Sequence, residues 1–372
     1  MAHFIHFGCW NNDGCVKDTD LKKTMNTIKN FIERNKIDFA VIAGDNYYPE
    51  KIETASRKAY KNINSKIFLS GIKCLLDAVP DKVKLYVLLG NHEFDDVKYI
   101  DNEKYDFVKC HIFKQQQAIF RDIANTYFFT DVEANRIKDT LILFIDSTIY
   151  EEEGTKQIDS TCLKHIFKKI ERNNSIEALR KYQEHKVKEI LIENKKIENL
   201  IIACHHPIIS IKSKKTGKSI GLINLYKEIY TALENKATNI YHLCADTHLY
   251  QKGLITITGN INVIQYICGT GGANKDDCPS GKLATKLTDS TCNYTMEECE
   301  KVNGFLSVII PSDSDKIQFN FIKTGSEPVK AEEKQDEEDQ DGGDYYSYKN
   351  KYLKYKNKYL QLKYGYVYPK VV

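Results

Sequence analysis

Five times along the chain a run of apolar residues ends abruptly on Gly, Asp, Asn, His or Cys: "HFIHFGCWNND", "IDFAVIAGDNYY", "VKLYVLLGNHEF", "NLIIACHHP" and "NIYHLCADTH". Unbroken apolar runs of this length suit strands buried on both faces. "TLILFIDS" reads as a further buried strand. Amphipathic segments separate them, among them "DTDLKKTMNTIKNFIERN" with Asp18 or Thr19 as its cap, and a helical stretch over about 54–78. Buried strands alternating with helices define an α/β domain with helices on both faces of its sheets. "GLITITGN", "NVIQYICGTGG" and "GFLSVII…KIQFNFIKT" read as later, antiparallel strands.

The alternation fills residues 1–325, with a hydrophilic, mostly helical stretch at 151–198 that reads as a surface insertion. Residues 326–344 are acidic, poor in apolar residues and contain Gly342–Gly343, the signature of a disordered linker. Residues 345–372 repeat "YKNKYL" seven residues apart. Tyr345, Tyr348, Tyr352, Tyr355, Tyr359, Leu362 and Tyr366 alternate spacings of three and four, which predicts a basic amphipathic helix that docks on a protein partner or on itself. A net charge of +3 over 372 residues gives no reason to expect nucleic acid. No segment approaches the roughly 18 uncharged apolar residues of a membrane span, and no signal peptide is evident, so the expectation is a non-secreted, cytoplasmic protein. Eleven cysteines, with Cys74, Cys204, Cys244 and Cys268 in apolar runs, suit reduced thiols. Free thiols are also expected at Cys278, Cys292 and Cys299, and the sequon at Asn293 is then irrelevant.

The polar residues matter because ligand sites in α/β sheets assemble at the carboxyl ends of strands. Those ends supply Cys9, Asp45, Tyr48, Asn91, His205, Asp246 and His248. This is a set of oxygen, imidazole and sulfur donors suited to metal-assisted phosphate ester hydrolysis, which needs cations and a bridging ligand holding them ~3.5–4 Å apart. Taken singly, each residue has a plainer reading. Asp45 and Asn91 suit helix caps, Tyr48 suits packing, His205 and His206 suit satisfied core histidines, and Asp246 and His248 suit a polar strand end. His6, His242 and Asp146 read as structural.

In order, "GDNYY", "GNHE", "HHPIIS" and "ADTHLYQ" resemble the motifs of the calcineurin-like metallophosphoesterases, and more narrowly the purple (tartrate-resistant) acid phosphatases. The resemblance covers roughly residues 3–325 and implies a two-sheet βαβ sandwich with flanking helices. It makes Asp45 the bridging carboxylate and a catalytic residue, Tyr48 and His248 ligands of the first metal, and Asn91 and His205 ligands of the second. His92 would clamp the phosphate and help protonate the leaving group, with Asn91 and His206 also contacting substrate. "CGTGGA" resembles the family's glycine-rich turn near the site. The implied cofactors are two metal ions (Fe, Zn or Mn), and the implied substrate is a phosphorylated small molecule or a phosphoprotein.

Two positions depart from the family pattern. Cys9 stands where the first motif supplies an aspartate, and Asp246 where the last supplies its first histidine. Asp246 remains a hard oxygen ligand suited to Mn or Mg, while a Cys9 thiolate suits Zn or Fe(II) and tends to reduce ferric iron. If Cys9 does not ligate, Asp13 is the alternative, and a single retained metal becomes an option. Three readings follow: a metal-dependent phosphomonoesterase, a degenerate fold that binds a phosphorylated ligand, and a structural protein acting through its tail. The Tyr/Lys-rich tail resembles C-terminal segments of giant DNA virus proteins, which would allow a virion location.

Overall fold

The computed structural model describes residues 1–325 except 49–50, 54–57, 61–64, 95–96, 102–103, 109, 130, 152–174, 214, 235–237, 259–260, 281–285 and 313–315. The acidic linker and the tail helix expected over 326–372 therefore lie outside the described residues, as does most of the 151–174 segment.

Two sheets carry the chain. The first has six strands in the order Gln318–Lys323, Gly304–Ile310, Ala2–Phe7, Phe39–Ile42, Lys84–Val87 and Thr126–Phe128. The second has eight, in the order Lys286–Thr288, Cys292–Glu300, Tyr250–Ile257, Ile261–Cys268, Asn239–Cys244, Asn199–Ala203, Thr140–Phe144 and Glu133–Ile137. The mixed α/β architecture is the one expected. Strand Ala2–Phe7 runs parallel to Phe39–Ile42, which runs parallel to Lys84–Val87. In the second sheet Thr140–Phe144, Asn199–Ala203, Asn239–Cys244 and Ile261–Cys268 are likewise parallel neighbours. Side chains buried on both faces explain the unbroken apolar runs, since Phe4, Ile5, Val41, Ile42, Ile201 and Ile202 are all fully buried. The sheets meet through stacked rings, Tyr86 on Phe144 at 4.2 Å and Tyr266 on Phe319 at 4.5 Å.

Helix Asp20–Arg34 starts where Thr19 caps it, the Thr19 side chain accepting from the Lys22 backbone N–H, and buries Leu21, Met25, Ile28 and Ile32. The helix predicted over 54–78 begins only at Ser65 and ends at Ala78. Lys58–Tyr60 belongs instead to a small four-stranded sheet with Lys51–Glu53, Val97–Asp101 and Lys104–Val108. The surface-insertion reading of 151–198 also needs correction at its C-terminal part. Helix Ile176–Glu193 buries Leu179, Gln183, Val187 and Leu191, and Gln183 bonds both the backbone N–H and the carbonyl of Asp146. Only one side of that helix is hydrophilic, and the charged residues between the buried positions masked its packing face.

The reduced-thiol expectation fails at five positions. Cys15 is bonded to Cys74 and Cys278 to Cys299, and Cys110 is disulfide-bonded as well. Cys9, Cys204, Cys244, Cys268 and Cys292 are free and buried. Among the described residues no helix is long and apolar enough to cross a membrane.

Candidate metal centre

The parallel strands of both sheets end at one place, and the two edges touch there. A Cβ on Gly8 would come within 2.6 Å of the Ala245 Cβ. Gly44, with φ of 77°, lies so close to the next loop that a Cβ would sit 2.5 Å from the Gly90 backbone N. At Gly90 a Cβ would meet Asp45 Oδ1 at 2.4 Å and His205 Cε1 at 2.9 Å. These glycines let the loops that carry Asp45, Asn91 and His205 close on one another. Cys9, Asp45 and Asp246 all adopt left-handed backbone conformations, with φ of 53°, 51° and 53°. Such angles cost about 1–3 kcal/mol each for residues with a side chain and cluster where function holds them.

Asp45 stands at the centre, with its two carboxylate oxygens facing different partners. On one side, Tyr48 donates its hydroxyl to Asp45 Oδ2 at 3.0 Å, and Cys9 Sγ lies 3.9 Å from the same oxygen. His248 Nε2 is 3.0 Å from the Tyr48 hydroxyl. On the other side, His205 Nε2 is 3.3 Å from Asp45 Oδ1, 3.1 Å from Asn91 Oδ1 and 3.9 Å from Asp246 Oδ1. Among the described residues two groups bring ligand atoms within 4.8 Å of one another: Cys9, Asp45 and His248, and His205, His206 and Asp246. The strand ends thus bring together all seven residues expected to hold metal. His92 stands at the rim, its ring 4.7 Å from that of Tyr48 and its backbone N–H donating to Asp45 Oδ1.

The donor set fits cations. Around His205 Nε2 the neighbours are all oxygen acceptors, so in the metal-free chain only a ring proton reconciles them. Burial by itself would lower the His205 pKa, but the Asp45 carboxylate outweighs it and holds the imidazole up to about 9. Burial likewise pushes Asp45 up, yet His205 and His92 pull it below the usual carboxylate range. On the opposite side burial, reinforced by Asp45, raises both the Cys9 thiol and the Tyr48 phenol well above their ordinary values. Asp246 keeps a third of its side chain open to solvent, and burial of the remainder raises its carboxyl despite His205. His205 and His248 both present Nε2 because each directs Nδ1–H to a backbone carbonyl, His205 to Ala43 at 2.6 Å and His248 to Asn274 at 2.7 Å.

Several supporting residues were not legible as functional. Glu93, the last residue of "GNHE", is fully buried. It accepts from the backbone N–H groups of Gly90 (2.5 Å), Asn46 (2.9 Å) and Asp45 (3.1 Å) and from the Gln116 side chain (3.0 Å). One carboxylate therefore ties the Asp45 loop to the Asn91 loop. Its place inside a ligand motif was the available signal. Ser147 Oγ accepts from the backbone N–H groups of His205 and His206 and lies 3.0 Å from His206 Nδ1. Asp276 accepts from the His248 N–H and from Lys212. The glycine-rich turn packs against the first loop, with Ala273 N–H donating to the Cys9 carbonyl and Gly271 N–H to that of Gly8. Two of the disulfides brace the same side. Cys15–Cys74 pins the chain after Cys9 to helix Ser65–Ala78, and Cys278–Cys299 pins the loop that supports His248.

The calcineurin-like phosphoesterase family model matches residues 2–262, and the chain belongs to that family. Among solved structures, GAP50, the anchor in the inner membrane complex of Plasmodium, aligns at 14% identity with a TM-score of 0.50, covering 87% of this chain and 85% of that one. TT1561 of Thermus thermophilus aligns at 10% identity and a TM-score of 0.32, over 71% of this chain and 88% of its own. A protein described as a novel phosphatase of Mycoplasma pneumoniae aligns at 9% identity and a TM-score of 0.35, over 87% of this chain and 92% of its own. At 14% identity the likeness to GAP50 concerns the fold alone. A search of curated proteins returns no match.

Proposed function

We propose that the chain is a metal-dependent phosphomonoesterase with an altered dinuclear centre, acting on a phosphorylated small molecule or a phosphoprotein. The observation that carries this reading is the division of the Asp45 carboxylate between two groups of partners, Oδ2 toward Tyr48 and Cys9 and Oδ1 toward His205. Cys9, Tyr48 and His248 with Asp45 would hold one cation, and Asn91, His205 and Asp246 with Asp45 the other. Bound there, the cations would supply the Lewis acidity that polarises a phosphoryl oxygen and eases deprotonation of the attacking water.

The chain's own residues do the rest. His92, half-buried at the rim, is placed to clamp a phosphate oxygen and give a proton to the leaving group. Burial, reinforced by His205, keeps His206 well below the ordinary histidine pKa, so it meets substrate as a neutral ring. Asn91, half-buried beside His205, fixes one side of the phosphate through its amide. Tyr48, hydrogen-bonded to Asp45 and next to His248, is the feature that supports kinship with the purple acid phosphatases.

A second reading, binding without turnover, draws on the buried, protonated Cys9 in a position where a carboxylate would ligate more readily. One experiment separates the two: metal content and hydrolysis of a chromogenic phosphomonoester with Mn, Zn or Fe, compared with Asp45→Asn. Loss of turnover in Asp45→Asn is expected. Activity untouched by that substitution would sink the first reading, and one metal per chain with no turnover would establish the second.

A further inference from the structure

We infer that the two halves of the centre take chemically different ions: a thiophilic one such as Zn(II), Fe(II) or Co(II) beside Cys9, and a hard, oxygen-preferring one such as Mn(II) or Mg(II) beside Asp246. This rests on the dinuclear reading above and adds which ion each half selects. In the fold the two unusual residues do not share a half. Cys9 Sγ faces Asp45 Oδ2, within 4.8 Å of the Asp45 and His248 ligand atoms, whereas Asp246 faces His205 on the Oδ1 side. The first half therefore offers sulfur, phenol oxygen, imidazole and one carboxylate oxygen. The second offers two carboxylates, one amide oxygen and the His205 imidazole, with the His206 ring also within 4.8 Å of the His205 and Asp246 ligand atoms, but no sulfur.

Sulfur and nitrogen donors favour Zn, Fe(II) and Co, and oxygen-rich sets suit Mg and Mn. Cys9 is a rigidly held, buried thiol rather than a surface one. The residue is fully buried, its backbone is held left-handed, and the apolar side chains packed around it are Ala43, Ala245, Ala273 and Tyr48. Its backbone is fixed at both ends, the N–H on the Gly44 carbonyl and the carbonyl on the Ala273 N–H, so the sulfur is presented from a rigid loop. Binding would replace the thiol proton with the metal and release that proton to solvent, with no change of oxidation state.

The test uses the full-length protein stripped of metal. One equivalent of Co(II) is added while absorption is followed for a thiolate-to-cobalt charge-transfer band, and Mn(II) is then titrated by loss of its free-ion electron paramagnetic resonance signal. The expected result is a full band at the first equivalent, unbleached by excess Mn(II), with one further Mn(II) bound per chain. Cys9→Ser should lose the band and still bind Mn(II); Asp246→Ala should keep the band and lose Mn(II) binding. The wild-type titration needs no variant to fold, and Cys9→Ser also separates Cys9 from the free thiols Cys204, Cys244, Cys268 and Cys292. Two Co(II) bound without a thiolate band, or displacement of the first Co(II) by Mn(II), would overturn the partition and leave the dinuclear reading standing. Failure to bind a second ion of either kind would overturn both.

Discussion

Glu93→Gln is the sharpest probe of what holds the centre together. The substitution keeps shape and volume but turns one carboxylate oxygen into an NH2 group. Glu93 Oε2 accepts from the backbone N–H groups of Gly90 and Asp45, and Oε1 from Asn46 and Gln116. Whichever way the new amide is turned, two donors face a third donor and lose their acceptor. Each buried donor left unsatisfied costs about 1–3 kcal/mol, so Glu93→Gln should destabilise the metal-free protein by roughly 2–6 kcal/mol. Gln116→Leu removes only one neutral donor and should cost about 0.5–1.5 kcal/mol. Denaturant unfolding of the metal-free proteins measures both. The lost bonds lie between the Asp45 and Asn91 loops, so metal affinity should fall in the first variant and hold in the second. If Glu93→Gln unfolds within about 0.5 kcal/mol of wild type, the size expected of an ordinary surface substitution, the clamp reasoning is wrong.

Metal binding should release protons, because His205 holds one up to about 9 and the Cys9 thiol is raised by burial and Asp45. Apparent affinity should therefore climb as pH rises from 6 toward about 9, and calorimetry in buffers of different ionisation heat would count the protons; an affinity flat with pH contradicts this. Without metal, the Asp45–His205 pair sets opposite limbs. Asp45, lowered, contributes stability above its ordinary value of 3.8 that is lost as pH falls below it. His205, raised, contributes stability that is whole below 6.5 and is lost as pH rises through about 9; His205→Gln should flatten the alkaline limb of a thermal-midpoint profile. His6 is fully buried with neither ring nitrogen partnered, and burial, then His242, lowers it to about 3. His6→Phe should stabilise the fold by about 1–3 kcal/mol and remove the part of the stability lost below pH 6.5 that this ring causes, which unfolding at pH 5 and pH 7 would show. The Cys278–Cys299 bridge spans 21 residues, so Cys278→Ser should lower unfolding stability by about 3 kcal/mol; an unchanged midpoint would mean that the bridge braces nothing.

What could be read from the sequence divides by range. The buried strands were legible because apolar residues on both faces leave an unbroken run, as in Phe39–Ile42 and Asn199–Ala203. The candidate site was legible because every expected ligand follows such a run. The small sheet was not, since Lys51–Glu53 and Lys58–Tyr60 are three-residue strands of mixed polarity that carry neither period. Helix Ile176–Glu193 was placed on the surface because its four buried residues are outnumbered by charge. The disulfides eluded sequence reasoning for a different reason. Cys15 and Cys74 are 59 residues apart, and no local pattern marks two cysteines as neighbours once the chain has crossed a sheet.

The supporting contacts share that long range, and they change how the two departures from the family pattern read. In sequence, Cys9 and Asp246 looked like two losses that put both metal positions in doubt. Three-dimensional placement assigns one departure to each side of Asp45, and each still points a ligand atom inward. The bracing also falls where a weaker ligand would need it. The Cys15–Cys74 and Cys278–Cys299 bridges, the glycine-rich turn and Asp276 buttress the loops of Cys9 and His248, while Ser147 and Glu93 secure the other side. Cys9 and Asp45 are held in left-handed backbone with their hydrogen bonds made, a strain of the kind that clusters at functional sites.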